Sequence, residues 1–346
     1  MKQSVIWFAS VGEVQGARRR RAVFRVAVWL VFCAGLLGLA EGAAAALQDL
    51  LVASTSYPAE IKMFDGSTGS DGGTFADGGG IYFPRGLAFG PNGNLFVANE
   101  GTDAVLQFNG TTGAFVSTFV PTGGGGLAAP KGLAFSPDGS TLFVASDSAP
   151  CDILRYDAST GAFLGGIPGV GGGLTTPWGL TFGSDGDLYV VSAGTASVLR
   201  YDGSTGAFID TFVSGGSGGL TAAQSLTFGP DGNLYVTDSI ISGRVMRYDG
   251  TTGAFIDTFV AGGSGGLRRP DGLTFGPDGG LYVSSSDTSN VLRYNGATGA
   301  YLDVFASGGG LFGPSGLTFT PIPEPSTLMV LVLIGLRLAG RRRGPL

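Results

Sequence analysis

The chain has 346 residues, among them 64 glycines, two cysteines and no histidine, and 20 basic against 26 acidic residues leave a net charge of −6. The missing histidine excludes Ser-His-Asp and Cys-His hydrolysis, His-ligated zinc and His-based lyase chemistry. The acidic balance argues against nucleic acid or an anionic membrane surface as a partner.

Residues 1–46 read as a secretory signal peptide: a basic run at Arg18–Arg21, the apolar segment Ala22–Ala40, and small residues near Ala44–Ala46 where a peptidase would cut. An uncleaved anchor helix is the alternative, since about 19 apolar residues can span a bilayer.

Residues 47–320 are built from one repeated unit. In Ser225–Val260 it reads as four short strands: SLTF (Ser225–Phe228), NLYVTD (Asn233–Asp238), RVMRYD (Arg244–Asp249) and AFIDTFV (Ala254–Val260). The turns GPDG and GTTG separate the first pair and the last pair. Val, Tyr, Phe, Thr and Ile favour a pleated surface, and Pro-Asp-Gly supplies the backbone angles of tight turns. The unit recurs with its opening residue at Pro84, Pro130, Pro177, Ala223, Pro270 and Pro314, at spacings of 44–47 residues. Four strands in a period of this length predict a β-propeller blade. The last copy stops after one strand, Gly316–Thr320, while the array opens mid-blade with Leu50–Thr55 and Glu60–Gly69. The N-terminal strands should therefore complete the last blade and close the ring, which removes the open sheet edges. The expected fold is all-β: a six-bladed propeller of four-stranded blades, flanked by hydrophobic helices at both ends.

Within Leu47–Thr320 only ten basic residues face 23 acidic ones, a net of −13. Most of these acids are Asp in Gly-containing turns, where Asx-turns are the favoured reading over calcium; no complete EF-hand-type loop is present. Cys151 is the one cysteine of this region, so no internal disulfide is possible, and it should sit on a surface loop. The Gly-rich stretches Gly123–Pro130, Ser214–Ala222 and Ala261–Pro270 read as flexible inter-blade links. Leu and Phe of the inner strands, from Leu87 and Phe89 to Leu273 and Phe275, and the tyrosines Tyr156, Tyr201, Tyr248 and Tyr294 read as packing between blades.

In a propeller, a ligand site belongs at the channel mouth, where loops from all blades converge. The residues following the blade-opening positions are Arg85, Lys131, Trp178, Gln224, Asp271 and Ser315. They differ from blade to blade inside a constant frame, which reads either as a tailored ligand face, for which they are the candidates, or as an unconstrained loop position. Asn99, Ser146, Ser192, Asp238 and Ser285, after the second strands, form a second set. No catalytic, cofactor-binding or metal-ligating residue is assigned.

The C-terminal segment, residues 321–346, holds Pro323-Glu324-Pro325, an apolar run Leu328–Leu336, and the basic cluster Arg341, Arg342 and Arg343. It resembles the PEP-CTERM sorting signal of exopolysaccharide-producing Gram-negative bacteria. That resemblance implies recognition of Pro-Glu-Pro by an exosortase, removal of the tail, and release or anchoring at the cell surface. Arg337 and the terminal GPL depart from the family pattern. The blades resemble NHL-type repeats, which implies a propeller and says little of activity. Streptogramin-lyase-like propellers look similar but act through histidine. Gluconolactonase-like propellers hold a divalent metal with Glu, Asn and Asp; here the mature region offers only Glu60 and Glu100, neither within that motif.

The favoured expectation is an exported, monomeric, surface- or matrix-associated binding module without a cofactor. Its partners would be an exosortase-type enzyme and an exopolysaccharide or surface protein, and it would touch the membrane only through its terminal segments. The alternatives are a metal-dependent lactonase or hydrolase using Asp271, Asp238 and Asn99 as oxygen ligands, and a structural spacer with no specific ligand.

Overall fold

The Gly- and Asp-centred turns punctuate the chain into strands as the sequence predicts. In GPDG-type turns the last glycine N–H donates to the first glycine carbonyl, as from Gly232 to Gly229 at 2.9 Å. In DGTTG-type turns, Asp249 Oδ1 accepts the N–H groups of Thr251 and Thr252 at 3.0 and 2.8 Å, the Asx-turn geometry that Asp and Asn adopt locally. The computed structural model describes residues 48–55, 57–148, 152–167 and 171–321. The signal-peptide segment, the sorting tail beyond Pro321, both expected flanking helices and Cys151 lie outside the described residues. Among the described residues no helix is long and apolar enough to cross a membrane.

The described residues form six four-stranded antiparallel sheets. The first blade comprises β4 (Pro84–Phe89), β5 (Leu95–Asn99), β6 (Ala104–Phe108) and β7 (Phe115–Val120). The second comprises β8 (Pro130–Phe135), β9 (Thr141–Ser146), β10 (Asp152–Asp157) and β11 (Phe163–Gly166). The third runs through β12 (Pro177–Phe182), β13 (Leu188–Ser192), β14 (Ser197–Tyr201) and β15 (Phe208–Val213). The fourth runs through β16 (Ala223–Phe228), β17 (Leu234–Asp238), β18 (Arg244–Tyr248) and β19 (Phe255–Val260). The fifth has β20 (Pro270–Phe275), β21 (Leu281–Ser285), β22 (Asn290–Tyr294) and β23 (Tyr301–Ser307). The sixth is composite: β24 (Pro314–Phe319) pairs antiparallel with β1 (Leu50–Ser54), which continues to β2 (Glu60–Phe64) and β3 (Asp71–Ala76). The ends of the array thus share one sheet, with Val52 opposite Leu317. The ring is closed by hydrogen bonds, as expected.

Blades pack on one another through apolar clusters drawn from neighbouring sheets. Tyr189 of the third blade, fully buried, meets Phe228 of the fourth edge-to-face at 5.0 Å, and Tyr235–Phe275 and Tyr282–Phe319 repeat the contact at 5.0 Å. Burying an aromatic or aliphatic side chain of this size contributes about 2–3 kcal/mol, and every seam carries several. The tyrosines Tyr156, Tyr201, Tyr248 and Tyr294 are buried, and each hydroxyl donates to a carbonyl of the preceding connector: Gly124, Gly171, Ser217 and Ser264, at 2.8–3.2 Å. They stitch blade to blade, as the sequence suggested.

The Gly-rich connectors are not flexible links. Gly124–Gly126, Ser217–Gly219 and Ser264–Gly266 fold as the same short 3₁₀ turn. Each closes with a hydrogen bond such as Gly219 N–H to Gly216 O at 2.9 Å. Their central glycines are left-handed, and an aromatic of the next blade lies against each: Phe163 on Gly125, Phe255 on Gly218, Tyr301 on Gly265. A Cβ at Gly218 would stand 2.2 Å from the Phe255 ring. The glycines serve a positive φ and a close ring contact together.

Glycine also sets the hub. The inner strands β4, β8, β12, β16, β20 and β24 neighbour one another in cyclic order. Four of them carry a glycine whose missing Cβ would meet the next strand's carbonyl: Gly86 at 2.7 Å from Lys131 O, Gly132 at 2.5 Å from Trp178 O, Gly272 at 2.5 Å from Ser315 O, and Gly316 at 2.2 Å from Arg85 O. Gly179 meets Ser225 Cα at 2.8 Å. Replacing Gly316 by Ala should therefore force two inner strands apart at the junction that closes the ring, costing about 3 kcal/mol. Gly93→Ala, at φ 76° with open space around it, should cost only about 1 kcal/mol. Denaturant midpoints of the two variants, compared with the parent chain, check the contrast.

Candidate functional site

Each inner strand opens at the same end of the ring, and its second residue follows the opening Pro or Ala. Arg85, Lys131, Trp178, Gln224 and Asp271 come together there and line one cavity, with Gly86, Gly132, Gly179, Gly272 and Gly316 as its floor. The cavity encloses about 50 Å³, room for a water or two. Ser315, the sixth candidate, does not line it. Its side chain is fully buried, and its hydroxyl donates to Pro84 O at 2.8 Å, which ties β24 to β4.

The mouth is a charge network around one indole. Arg85 Nε donates to Glu100 Oε2, and Arg85 Nη1 donates to Asp271 Oδ2 at 3.2 Å. Lys131 Nζ donates to Glu100 Oε1 at 2.5 Å and lies 3.7 Å from Asp147 Oδ2. Both cations stand over Trp178, Lys131 Nζ at 4.7 Å and the Arg85 guanidinium carbon at 5.6 Å from the ring centre, a contact the indole quadrupole favours. Burial raises the Asp271 and Asp147 carboxyls, and nearby Arg85 or Lys131 only partly offsets it. Glu100 goes the other way: burial would raise it, but hydrogen bonds from Lys131 and Arg85 outweigh that and hold it below the usual range. Two carboxylates in one site thus differ in proton affinity, because Asp271 is the more deeply buried and is bonded by one cation, while Glu100 is shared by two.

Glu100 and Asp147 were not among the candidates drawn from the sequence. Each stands one residue past the second strand, Glu100 opening a 3₁₀ turn after β5. The signal was available, since Glu100 is one of only two glutamates in the repeat array.

The second set, after the second strands, does not face the channel. Asn99, Ser146, Ser192, Asp238 and Ser285 are buried, and their polar atoms pin the incoming connectors. Asn99 Oδ1 accepts Tyr82 N–H at 2.7 Å, and Asp238 Oδ1 accepts Ala222 N–H at 2.7 Å while Arg244 Nε donates to its Oδ2 at 2.8 Å. Ser146, Ser192 and Ser285 bond the backbone of Ala128, Thr175 and Arg268. Asp238 and Asn99 are thus committed to connectors and do not join Asp271 as oxygen ligands. Among the described residues no three His, Cys, Asp or Glu side chains group closely enough to hold a metal ion. The turn aspartates are likewise engaged. Hydroxyl and amide donors from Ser67 and Thr68 hold Asp65 down to about 2, and those of Ser159 and Thr160 do the same for Asp157.

No family model and no curated protein matches the chain. Solved structures do. A chain of the nidogen/laminin complex aligns at a TM-score of 0.65 and 16% identity, covering 79% of this chain and 98% of that one. A streptogramin B lyase aligns at 0.48 and 17% identity, covering 70% of each chain. Virginiamycin B lyase from Staphylococcus aureus aligns at 0.46 and 18%, covering 70% of this chain and 71% of that one. The first likeness concerns the propeller fold alone, and the other two are too distant to bear on function.

Glu100→Gln should test the network. It removes the charge shared by Arg85 and Lys131, whose side chains keep 24% and 8% of their exposure, and should cost about 2 kcal/mol at neutral pH. The carboxyl's folded-state pKa lies below its unfolded one, so this contribution is full above the ordinary Glu value of about 4.3 and disappears as pH falls through the folded value. The gap in melting temperature between parent and variant should therefore be widest at neutral pH and narrow below about pH 4.

Proposed function

We propose that the chain is an exported binding module: an NHL-like propeller carried to the cell surface or extracellular matrix and sorted through its PEP-CTERM tail by an exosortase-type enzyme. The observation that supports binding over catalysis is the size and occupancy of the channel mouth. A cavity of about 50 Å³ lies far below the several hundred Å³ of a small-molecule site, and its charges already satisfy one another. A partner would engage this face from outside. Trp178 and Gln224, beside the ion pairs, offer stacking and amide contacts suited to a polysaccharide chain or a protein surface. The net charge of −13 over residues 47–320 keeps nucleic acid and anionic membrane unfavourable as partners. The propeller closes its own ring and needs no second copy, so a monomer is proposed, and the reading requires no cofactor.

Export and sorting rest on the sequence of the two ends: basic run, apolar segment and Ala-rich cleavage region at the start, Pro323-Glu324-Pro325 and Arg341–Arg343 at the finish. Intact mass and cell fractionation of the native protein test this. The expected result is loss of both end segments with the propeller in the envelope or matrix. A full tail retained in the inner membrane would overturn it. The binding arm is checked by co-sedimentation with exopolysaccharide purified from the producing cells. Trp178→Ala with Gln224→Ala should weaken it by about tenfold, and unchanged co-sedimentation would remove the channel mouth as the binding face.

A further inference from the structure

Three blades repeat one ion pair on their outer half, the first and sixth replace both partners, and the second alone keeps the arginine without its carboxylate. At one register position β14, β18 and β22 place Arg200, Arg247 and Arg293 opposite Asp210, Asp257 and Asp303 of the outermost strands. The paired atoms lie 2.5–2.6 Å apart. On the other side each arginine neighbours a tyrosine, Tyr189, Tyr235 or Tyr282, whose hydroxyl donates to the turn carboxylate Asp185, Asp231 or Asp278 at 2.8–3.0 Å. The guanidinium also lies over Phe212, Phe259 or Phe305 at 4.9–5.4 Å. At the same register position the first blade has Gln107 opposite Ser117 and the sixth has Met63 opposite Gly73.

The second blade has the arginine without the rest. Arg155 faces Gly165 across β11 and Phe143 across β9, so the pairing Asp and the tyrosine hydroxyl are both gone. The turn carboxylate Asp138 is held by its own loop instead, accepting Ser136 Oγ at 2.5 Å and Ser140 N–H at 3.0 Å. Arg155 has no ion pair among the described residues, and its buried Nε has no hydrogen-bond partner. The residues of this blade outside the description, Ala149–Cys151 and Pro168–Val170, carry no acidic side chain. Beside Arg155 lies a cavity of about 350 Å³ between the second and third blades, lined by Asp138, Ser140, Thr141, Phe143, Leu164 and Ser204 among others.

We propose that this cavity is a binding site for a sugar acid, with the ligand carboxylate taking the place that Asp210, Asp257 and Asp303 hold beside their arginines. A planar carboxylate matches the guanidinium fork. The hydroxyls of Ser140, Thr141 and Ser204 and the remaining acceptor capacity of Asp138 suit ring hydroxyls, and Phe143 and Leu164 give the apolar wall a pyranose face requires. The volume accommodates one small ligand, unlike the channel mouth. In a protein this acidic, an unpaired arginine beside an open cavity is the local exception that lets an anion approach.

Binding of glucuronate, glucose and inorganic phosphate to the purified full-length protein, measured by calorimetry, tests the assignment. Glucuronate should bind saturably, and glucose about tenfold more weakly or less. Arg155→Met should cost at least about tenfold in glucuronate affinity, while Trp178→Ala at the channel mouth should leave it unchanged, which separates this site from the proposed binding face. Removing the cation is cleaner than restoring the carboxylate, because Gly165 lies at φ 118° and an Asp there would be strained. Should Arg155→Met fail to fold, an arginine-directed dicarbonyl reagent on the parent chain, read by mass spectrometry, serves instead. Arg155 should label faster than the paired Arg200, Arg247 and Arg293, and glucuronate should protect it. Equal affinity for glucose and glucuronate, binding indifferent to Arg155→Met, or labelling without protection would overturn the proposal. Phosphate displacing glucuronate at equal concentration would overturn the carboxylate assignment.

Discussion

The close approach of the inner strands at the hub is the constraint on which the rest of the ring depends. Six sheets converge there, and the strands fit because a glycine of each of five faces the backbone of the next. Those contacted carbonyls belong to Lys131, Trp178, Ser315 and Arg85 themselves. Locking the carbonyl fixes the residue, so the geometry that closes the ring also orients the side chains at the channel mouth. The fourth blade carries Ser225 instead of glycine; its N–H donates to Thr237 Oγ1 at 2.9 Å, and the Thr237 hydroxyl donates to Asp271 O at 3.3 Å, tying the fourth blade to the fifth.

The same economy of space governs the rim. The connectors contribute left-handed glycines against which the next blade's aromatic packs, and a buried Tyr hydroxyl and a buried Ser, Asn or Asp take the connector's backbone groups. Buried polar backbone is acceptable only when it is bonded, so these pins are structural obligations. They explain why the residues at the ends of the second strands vary among Asn, Ser and Asp without being a ligand face: all three accept an N–H from the connector. Variation within a constant frame signals function only where the side chain has somewhere to go.

That distinction marks what was legible in the sequence. Strand positions, turn types, the blade period and the shared closing sheet follow from local chemistry repeated at a fixed spacing, and the observed strands begin or end within two residues of those expected in Ser225–Val260. Arg85, Lys131, Trp178, Gln224 and Asp271 were found because they occupy one register position on strands known to face the axis. Ser315 shares the position but is short enough to turn into the neighbouring backbone, a choice that register does not decide. Glu100 and Asp147 come from turns whose direction only the folded ring defines. The connectors were misjudged for a related reason: glycine in sequence signals freedom, and the tertiary contact that consumes it, an aromatic ring more than thirty residues away, leaves no local mark.

A near-uniform repeat supplies its own controls. Where five blades agree, packing explains the residues; where one departs, the departure must be compensated or left open. At the channel mouth the compensation is complete. Arg85 and Lys131 divide Glu100, Asp271 and Asp147 between them beside Trp178, so each of these two cations already has a carboxylate partner. At Arg155 three departures coincide, Gly165 for Asp, Phe143 for Tyr and an Asp138 held by its own turn, and nothing among the described residues replaces what they removed. Burying the Arg155 Nε without a partner is costly, and the two other blades that lack the carboxylate carry Gln107 and Met63 there instead of an arginine. Methionine or glutamine would fill the same space more cheaply. The arginine's persistence beside a cavity of about 350 Å³ is best accounted for by a partner that arrives from outside.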